Sequence, residues 1–152
     1  MWYKHLHELT SDEWGEYRKV IKEALHGVIQ ESHNKGWPKA ALTNVWDYFD
    51  HGFRESHGVS AVIINGEYLF LYAVGHSWWH TEPFLIEEFL LALKPGGSLA
   101  GCLSVIEDIA KAEGCGAVCI GTAAAPSNEV YARLLNRHGY KTLAYQLIKE
   151  VA

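Results

Sequence analysis

The chain predicts a mixed α/β (α+β) domain: one mixed central sheet flanked by helices, in the order βααβββαβαβ. Three observations carry this. Residues 10–35 and 99–113 repeat apolar side chains at helical spacing. Asn65-Gly66 separates two apolar, β-branched and aromatic runs, the pattern of a two-residue hairpin. A loop of small residues, Lys94-Pro95-Gly96-Gly97-Ser98-Leu99-Ala100-Gly101, then joins an apolar strand to an amphipathic helix.

The elements follow in order. Residues 2–9 suit a first strand, with Tyr3 and Leu9 flanking His5 and His7. Thr10-Ser11-Asp12-Glu13 is a capping box, a hydroxyl three residues before a Glu. The helix after it carries Trp14, Tyr17, Ile21, Leu25 and Val28 on one face and stops at Lys35-Gly36. Pro38 opens a second helix with Leu42, Val45, Trp46 and Phe49 inward, ending at Gly52. From Val59 the period changes. Strands over 60–64 and 68–74 form the hairpin, and a loop holding Trp78 and Trp79 leads to a strand over 84–93. Beyond the glycine loop, Leu99, Cys102, Leu103, Ile106 and Ile109 mark one helix face. Ala117–Ile120 is apolar throughout, as in a strand buried on both faces. A last helix from about Ser127 bears Val130, Tyr131, Leu134 and Leu135, and Gly139 caps it. Residues 140–151 are expected to form the final strand.

Composition narrows the function. The 152 residues suit one domain spanning 1–152, with no repeat or linker. The net charge of −5 and the absence of a basic run exclude a nucleic-acid footprint of the usual kind. The apolar run before the glycine loop is interrupted by Glu87 and Glu88 and is too short to span a bilayer. No membrane partner and no leader peptide are expected, so a soluble, cytoplasmic protein is. Cys102, Cys115 and Cys119 are an odd set without a C-x-x-C pair, read as reduced, mostly buried thiols. The nine histidines show no metal-ligand spacing, and no metal is expected.

The glycine loop suggests chemistry. Small residues at a helix start leave backbone N–H groups free, and the helix end adds partial positive charge. Such a place suits a phosphate, so a phosphorylated cofactor is the first idea.

The order of elements, this loop, and a last helix that starts at Asn128 and reaches Gly139-Tyr140 eleven residues later resemble the GCN5-related N-acetyltransferase (GNAT) superfamily. The resemblance implies a GNAT-like acyltransferase domain that takes acetyl-CoA, or another acyl-CoA, and moves the acyl group to the amine of a small molecule or protein. It implies that the pantetheine arm pairs with the strand end Leu91, Ala92 and Leu93. It places the pyrophosphate on Lys94, Gly96, Gly97, Ser98, Leu99, Ala100 and Gly101, with Asn128 beside the cofactor. Two registers fit the family pattern Q/R-x-x-G-x-G/A. Counting from the helix, Lys94 takes the first place and Gly97 the central glycine. Counting from the strand, these become Ser98 and Gly101. A family carboxylate before the loop falls on Glu87, as general base. The family's acid tyrosine position holds Leu135, and Tyr131, one turn earlier, is the substitute; its other reading is a core aromatic. The acceptor pocket would draw on Gly36, Trp37, Trp78, Trp79 and the last strand. A second reading makes the chain a catalytically inactive binding or assembly module, for example a phage virion-associated protein, with an assembly partner or a second copy meeting exposed tryptophans.

Overall fold

A computed structural model describes residues 1–36, 42–52, 58–78, 80–122, 125, 127–149 and 151. A five-stranded sheet runs β1 (Tyr3–His5), β2 (Ser60–Ile64), β3 (Tyr68–Gly75), β4 (Phe84–Ala92), β5 (Ala117–Cys119). The first four strands are antiparallel neighbours, and β5 lies parallel to β4. The helices are α1 (Ser11–Asn34), α2 (Leu42–Asp47, continued by a π-turn over Tyr48–Gly52), α3 (Leu99–Ala112) and α4 (Asn128–Arg137).

Local chemistry accounts for the boundaries. The capping box forms as read: Thr10 Oγ1 accepts from Glu13 N at 3.2 Å, and Glu13 Oε2 accepts from Thr10 N at 2.8 Å. Gly36, past the end of α1, sits at φ +73°, the left-handed cap that glycine tolerates. Asn65 (φ 53°) and Gly66 (φ 67°) are both left-handed, as a type I′ hairpin turn requires. The expectation of Pro38 opening α2 lies outside the described residues.

The sheet is covered on both faces, which is why β2 and β3 are largely apolar and buried. Val62, Ile64, Phe70, Tyr72 and Leu85 pack with the buried face of α3. Ala61, Ile63, Leu69, Leu71 and Leu91 pack with Leu6, Trp14, Ile21 and Leu25 on the α1 side. Burying each large side chain contributes about 1.5–3 kcal/mol.

Three expectations are corrected. The strand read over Ala117–Ile120 as buried on both faces is β5, whose residues are only half-buried because it is last in the sheet order. The first strand is shorter than read: Leu6–Glu8 turn as a 3-10 helix, because the Glu8 carboxylate accepts the His5 N–H at 2.8 Å, and the turn buries Leu6. The final strand is absent: described residues 140–149 and 151 form no regular structure and stand outside the sheet. Period-two alternation states a willingness to pair, and pairing also needs an edge within reach.

Candidate active site

The strands β4 and β5 part company early. They pair at Phe84–Ala117, Leu85–Val118 and Ile86–Cys119 only, while β4 continues to Ala92. At about 3.3 Å per residue, roughly 20 Å of the β4 edge faces away from β3 with no strand beside it among the described residues. Leu93 N–H donates to Glu67 O on the β3 side at 2.8 Å. By alternation the N–H groups of Ala92 and Leu90 point to the open edge.

At the end of that edge lies the glycine loop. Gly96 is left-handed (φ +80°). A side chain at Gly97 would put its Cβ 3.1 Å from the Tyr68 ring and 3.3 Å from Glu67, so only glycine fits there without displacing neighbours. Ser98 caps α3, its Oγ accepting from Gly101 N at 3.0 Å. Leu99 and Ala100 form the first turn, and their N–H groups have no acceptor among the described residues. Lys94 is exposed close by in the chain. The positive end of a 14-residue helix thus opens toward small residues. One anion is already there: the Glu67 carboxylate, on the β2–β3 hairpin, accepts the Ser98 N–H at 3.1 Å. No sequence signal marks Glu67, an acid in a turn 31 residues away.

A second carboxylate occupies the notch between the strands. Glu87 Oε2 accepts the Gly121 N–H at 2.8 Å, and the Leu90 N–H supports it from β4. Burial pushes the Glu87 pKa up, against the pull of these N–H groups, and Glu88 adds repulsion. Tyr131 packs half-buried against the α3-side core. Burial and then the Glu87 charge push its hydroxyl well above the ordinary tyrosine range, so the phenol keeps its proton. Glu87 and Tyr131 therefore stand within electrostatic reach of each other. Asn128, the first residue of α4, is exposed one turn before Tyr131.

Glu88 is a different case. Tyr72 pairs with Glu87 and Leu71 with Phe89, so Glu88 is the extra residue of a β-bulge. It stands with Phe89 at a cavity of about 400 Å³, otherwise lined by Leu25, Val45, Tyr48, Phe49, Val59 and Leu71. The π-turn forming one wall is fixed by a two-pronged ion pair, Arg18 Nε to Asp50 Oδ1 at 2.9 Å and Arg18 Nη2 to Asp50 Oδ2 at 3.0 Å. The Arg18 guanidinium also lies 5.1 Å from the centre of the Trp46 ring. Adjacent acids in an apolar strand were the available signal for this site; the bulge that sorts them was not legible.

Other sequence-predicted positions lie elsewhere. Leu91 and Leu93 are buried toward the α1 side, and Ala92 is the last residue of β4. Trp78 is 96% exposed in the loop before β4, at the opposite end of that strand from the glycine loop. Trp37 and Trp79 lie outside the described residues. Gly36 is exposed, and Lys35 before it donates from Nζ to Ala125 O at 2.5 Å, linking the end of α1 to the loop after β5. Among the described residues no group of three His, Cys, Asp or Glu side chains converges, and no helix is long and apolar enough to cross a membrane.

No family model matches the chain, and no curated protein matches its sequence. Solved structures do match. A GNAT family acetyltransferase from Staphylococcus aureus superposes with a TM-score of 0.63 at 11% identity, covering 99% of this chain and 98% of the other. The protein AAC(6')-Iy, solved with the bisubstrate analog CoA-S-monomethyl-acetylneamine, gives 0.60 at 10% identity, with 99% and 97% covered. A transcriptional regulator from Bacillus halodurans gives 0.62 at 12% identity, with 99% of each chain covered. The mixed sheet, its parted strands and its flanking helices define the class: this chain has the fold of the GCN5-related N-acetyltransferases.

Proposed function

We propose that the protein is an acyl-CoA-dependent N-acyltransferase, with acetyl-CoA the simplest donor. The observation that carries the reading is the open edge of β4 running into the free first-turn amides of α3. Together they suit an extended arm that ends in a diphosphate. AAC(6')-Iy, a fold neighbour, was solved with a CoA analog, which supports the same reading.

The residues present fit such a donor. Leu99 and Ala100 N–H groups would hold phosphate oxygens, and Gly97 would let them approach. The thioester supplies an activated acyl carbon. Leu90 N–H, on the open edge, is placed to polarise its carbonyl oxygen once the Glu87 carboxylate moves off it. Glu88 at the apolar cavity would accept a hydrogen bond from the acceptor's neutral amine, which suits an amine with an apolar body. Glu87, with its raised proton affinity, takes the proton that the attacking nitrogen loses. As the nitrogen–carbon bond formed and the carbon–sulfur bond broke, Tyr131 would supply a proton to the leaving sulfur, and the proton taken up by Glu87 would restore the phenol. Alignment in the cleft supplies much of the rate.

The test is a melting curve with and without acetyl-CoA. A donor at a hundred times its Kd adds about 2.7 kcal/mol of stability. Gly97→Glu is expected to abolish the shift while the unliganded protein remains folded by circular dichroism. Glu67→Gln removes a competing anion from the helix end, worth about 0.3–1 kcal/mol, and is expected to tighten donor binding by up to about fivefold.

Two observations favour a second reading, a non-catalytic binding module. The Ser98 and Gly121 amides already hold internal carboxylates, and Leu135 stands at the family's acid position. Absence of any thermal shift at millimolar acetyl-CoA, in both the wild type and Glu67→Gln, would overturn the transferase proposal and leave this one.

A further inference from the structure

We propose that the protein acylates its own Lys35, whose amine is fastened to the loop beside the notch where the donor's thioester would lie. The inference rests on the acyl-donor reading above and names an acceptor within the chain. Lys35 caps the C-terminal end of α1, a helix that buries Trp14, Ile21 and Leu25 against one face of the sheet. The loop after β5 leads to α4, whose Leu135 joins the core on the other face. Lys35 Nζ nevertheless donates to Ala125 O in that loop.

The bond joins the layers on the two faces, and the gap between the parted strands β4 and β5 opens beside this loop. Ala125 N–H donates to Thr122 O at 3.1 Å, which brings Ala125 back beside Gly121. The Gly121 N–H is the one that Glu87 Oε2 accepts at 2.8 Å. The amine of Lys35 and the carboxylate of Glu87 are thus held by one short loop, at Ala125 and Gly121. Lys19, Lys22, Lys94 and Lys111 are exposed, whereas Lys35 is half-buried. Its four-carbon stem is flexible, so the nitrogen can leave Ala125 O for the notch while α1 stays in place.

A primary amine is the acceptor this chemistry needs, and holding one beside the donor turns a two-body reaction into a step within the complex. The Lys35 ammonium first releases one proton to solvent. The neutral nitrogen then attacks the thioester carbonyl carbon; the nitrogen–carbon bond forms and the carbon–sulfur bond breaks. The nitrogen's second proton passes to Glu87, Tyr131 supplies a proton to the sulfur, and the Glu87 proton restores the phenol. The products are an amide on Lys35, a free thiol and the one proton released. The amide carries no charge, so its bond to Ala125 O is weaker than the ammonium's, and the tie between the two layers loosens.

The test incubates the full chain with acetyl-CoA near neutral pH, with no amine added, and reads each lysine by peptide mass spectrometry. An acetyl group is expected on Lys35, at a rate that levels off as the donor concentration rises. Lys35→Arg keeps the charge; it is expected to take no acetyl group there and still to show the donor's thermal shift. A second readout needs no acyl transfer. CoA itself is expected to shield Lys35 severalfold from reductive methylation and to leave Lys19 and Lys22 unshielded. A thermal shift with Lys35 unmodified overturns self-acylation and leaves the transferase reading standing. Neither shift nor modification overturns both. Acetyl groups spread over the exposed lysines, at a rate proportional to donor concentration, mean uncatalysed chemistry and overturn the proposal, as does a thermal shift by CoA without shielding of Lys35.

Discussion

The helices α3 and α4 follow adjacent parallel strands and lie on the same face of the sheet, yet they are embedded very differently. In α3, Cys102, Leu103, Val105, Ile106, Ile109 and Ala110 are buried; in α4 only Leu135 is. The difference follows from position. The α3 helix packs over central strands that have neighbours on both edges. The α4 helix follows β5, which among the described residues is paired with β4 alone. An amphipathic helix buries its stripe only as far as the layer beneath it extends. The two helices therefore define a finished part of the domain and an unfinished one, and the parted strands lie at their junction.

The largest expected effect sharpens this contrast directly. Ile106→Ala empties a fully buried site and is expected to cost about 2–5 kcal/mol in urea or thermal unfolding. A cost under 1 kcal/mol would mean that the core beneath α3 is looser than its burial implies. Ser98→Ala removes the α3 cap and is expected to cost about 1 kcal/mol, and the freed Gly101 amide should exchange faster with solvent.

A third prediction concerns pH at the junction. Burial raises the Glu87 pKa above its ordinary 4.5, so near that pH the native protein keeps a proton that the unfolded chain has released. Stability contributed at Glu87 therefore falls as pH rises through the window just above 4.5. Glu87→Gln removes that fall. The Tm difference, variant minus wild type, is expected to grow more positive between about pH 4 and about pH 7, and a flat difference would place the carboxylate in water. The smallest effect is Leu134→Ala, expected within about 0.5 kcal/mol for the dilute monomer because the side chain is exposed. A cost that rises with protein concentration would show that a second chain covers it.

Much of this was legible in the residues. The Thr10–Glu13 capping box, the Asn65-Gly66 turn and the glycine after each long helix are set by neighbours a few positions apart, and each formed where it was read. The buried stripe of α3 was legible for the same reason, since helical periodicity is a local property. The α4 stripe was legible as a pattern but not in its burial, because burial depends on what stands opposite.

What the sequence determined by itself, then, was the class of sheet and helices, the order of the main elements as far as the last helix, and their caps. All of these arise from short-range sterics, turn geometry and hydrogen bonds. Only the tertiary structure decided which charges meet which amides: Glu67 reaches Ser98 across 31 residues and Glu87 reaches Gly121 across 34. It also decided which of two adjacent glutamates, parted by a bulge, faces the notch, and that the described residues of an alternating C-terminal segment stand outside the sheet. Those outcomes turn on contacts between distant parts of the chain, and a residue's own neighbours carry no record of them.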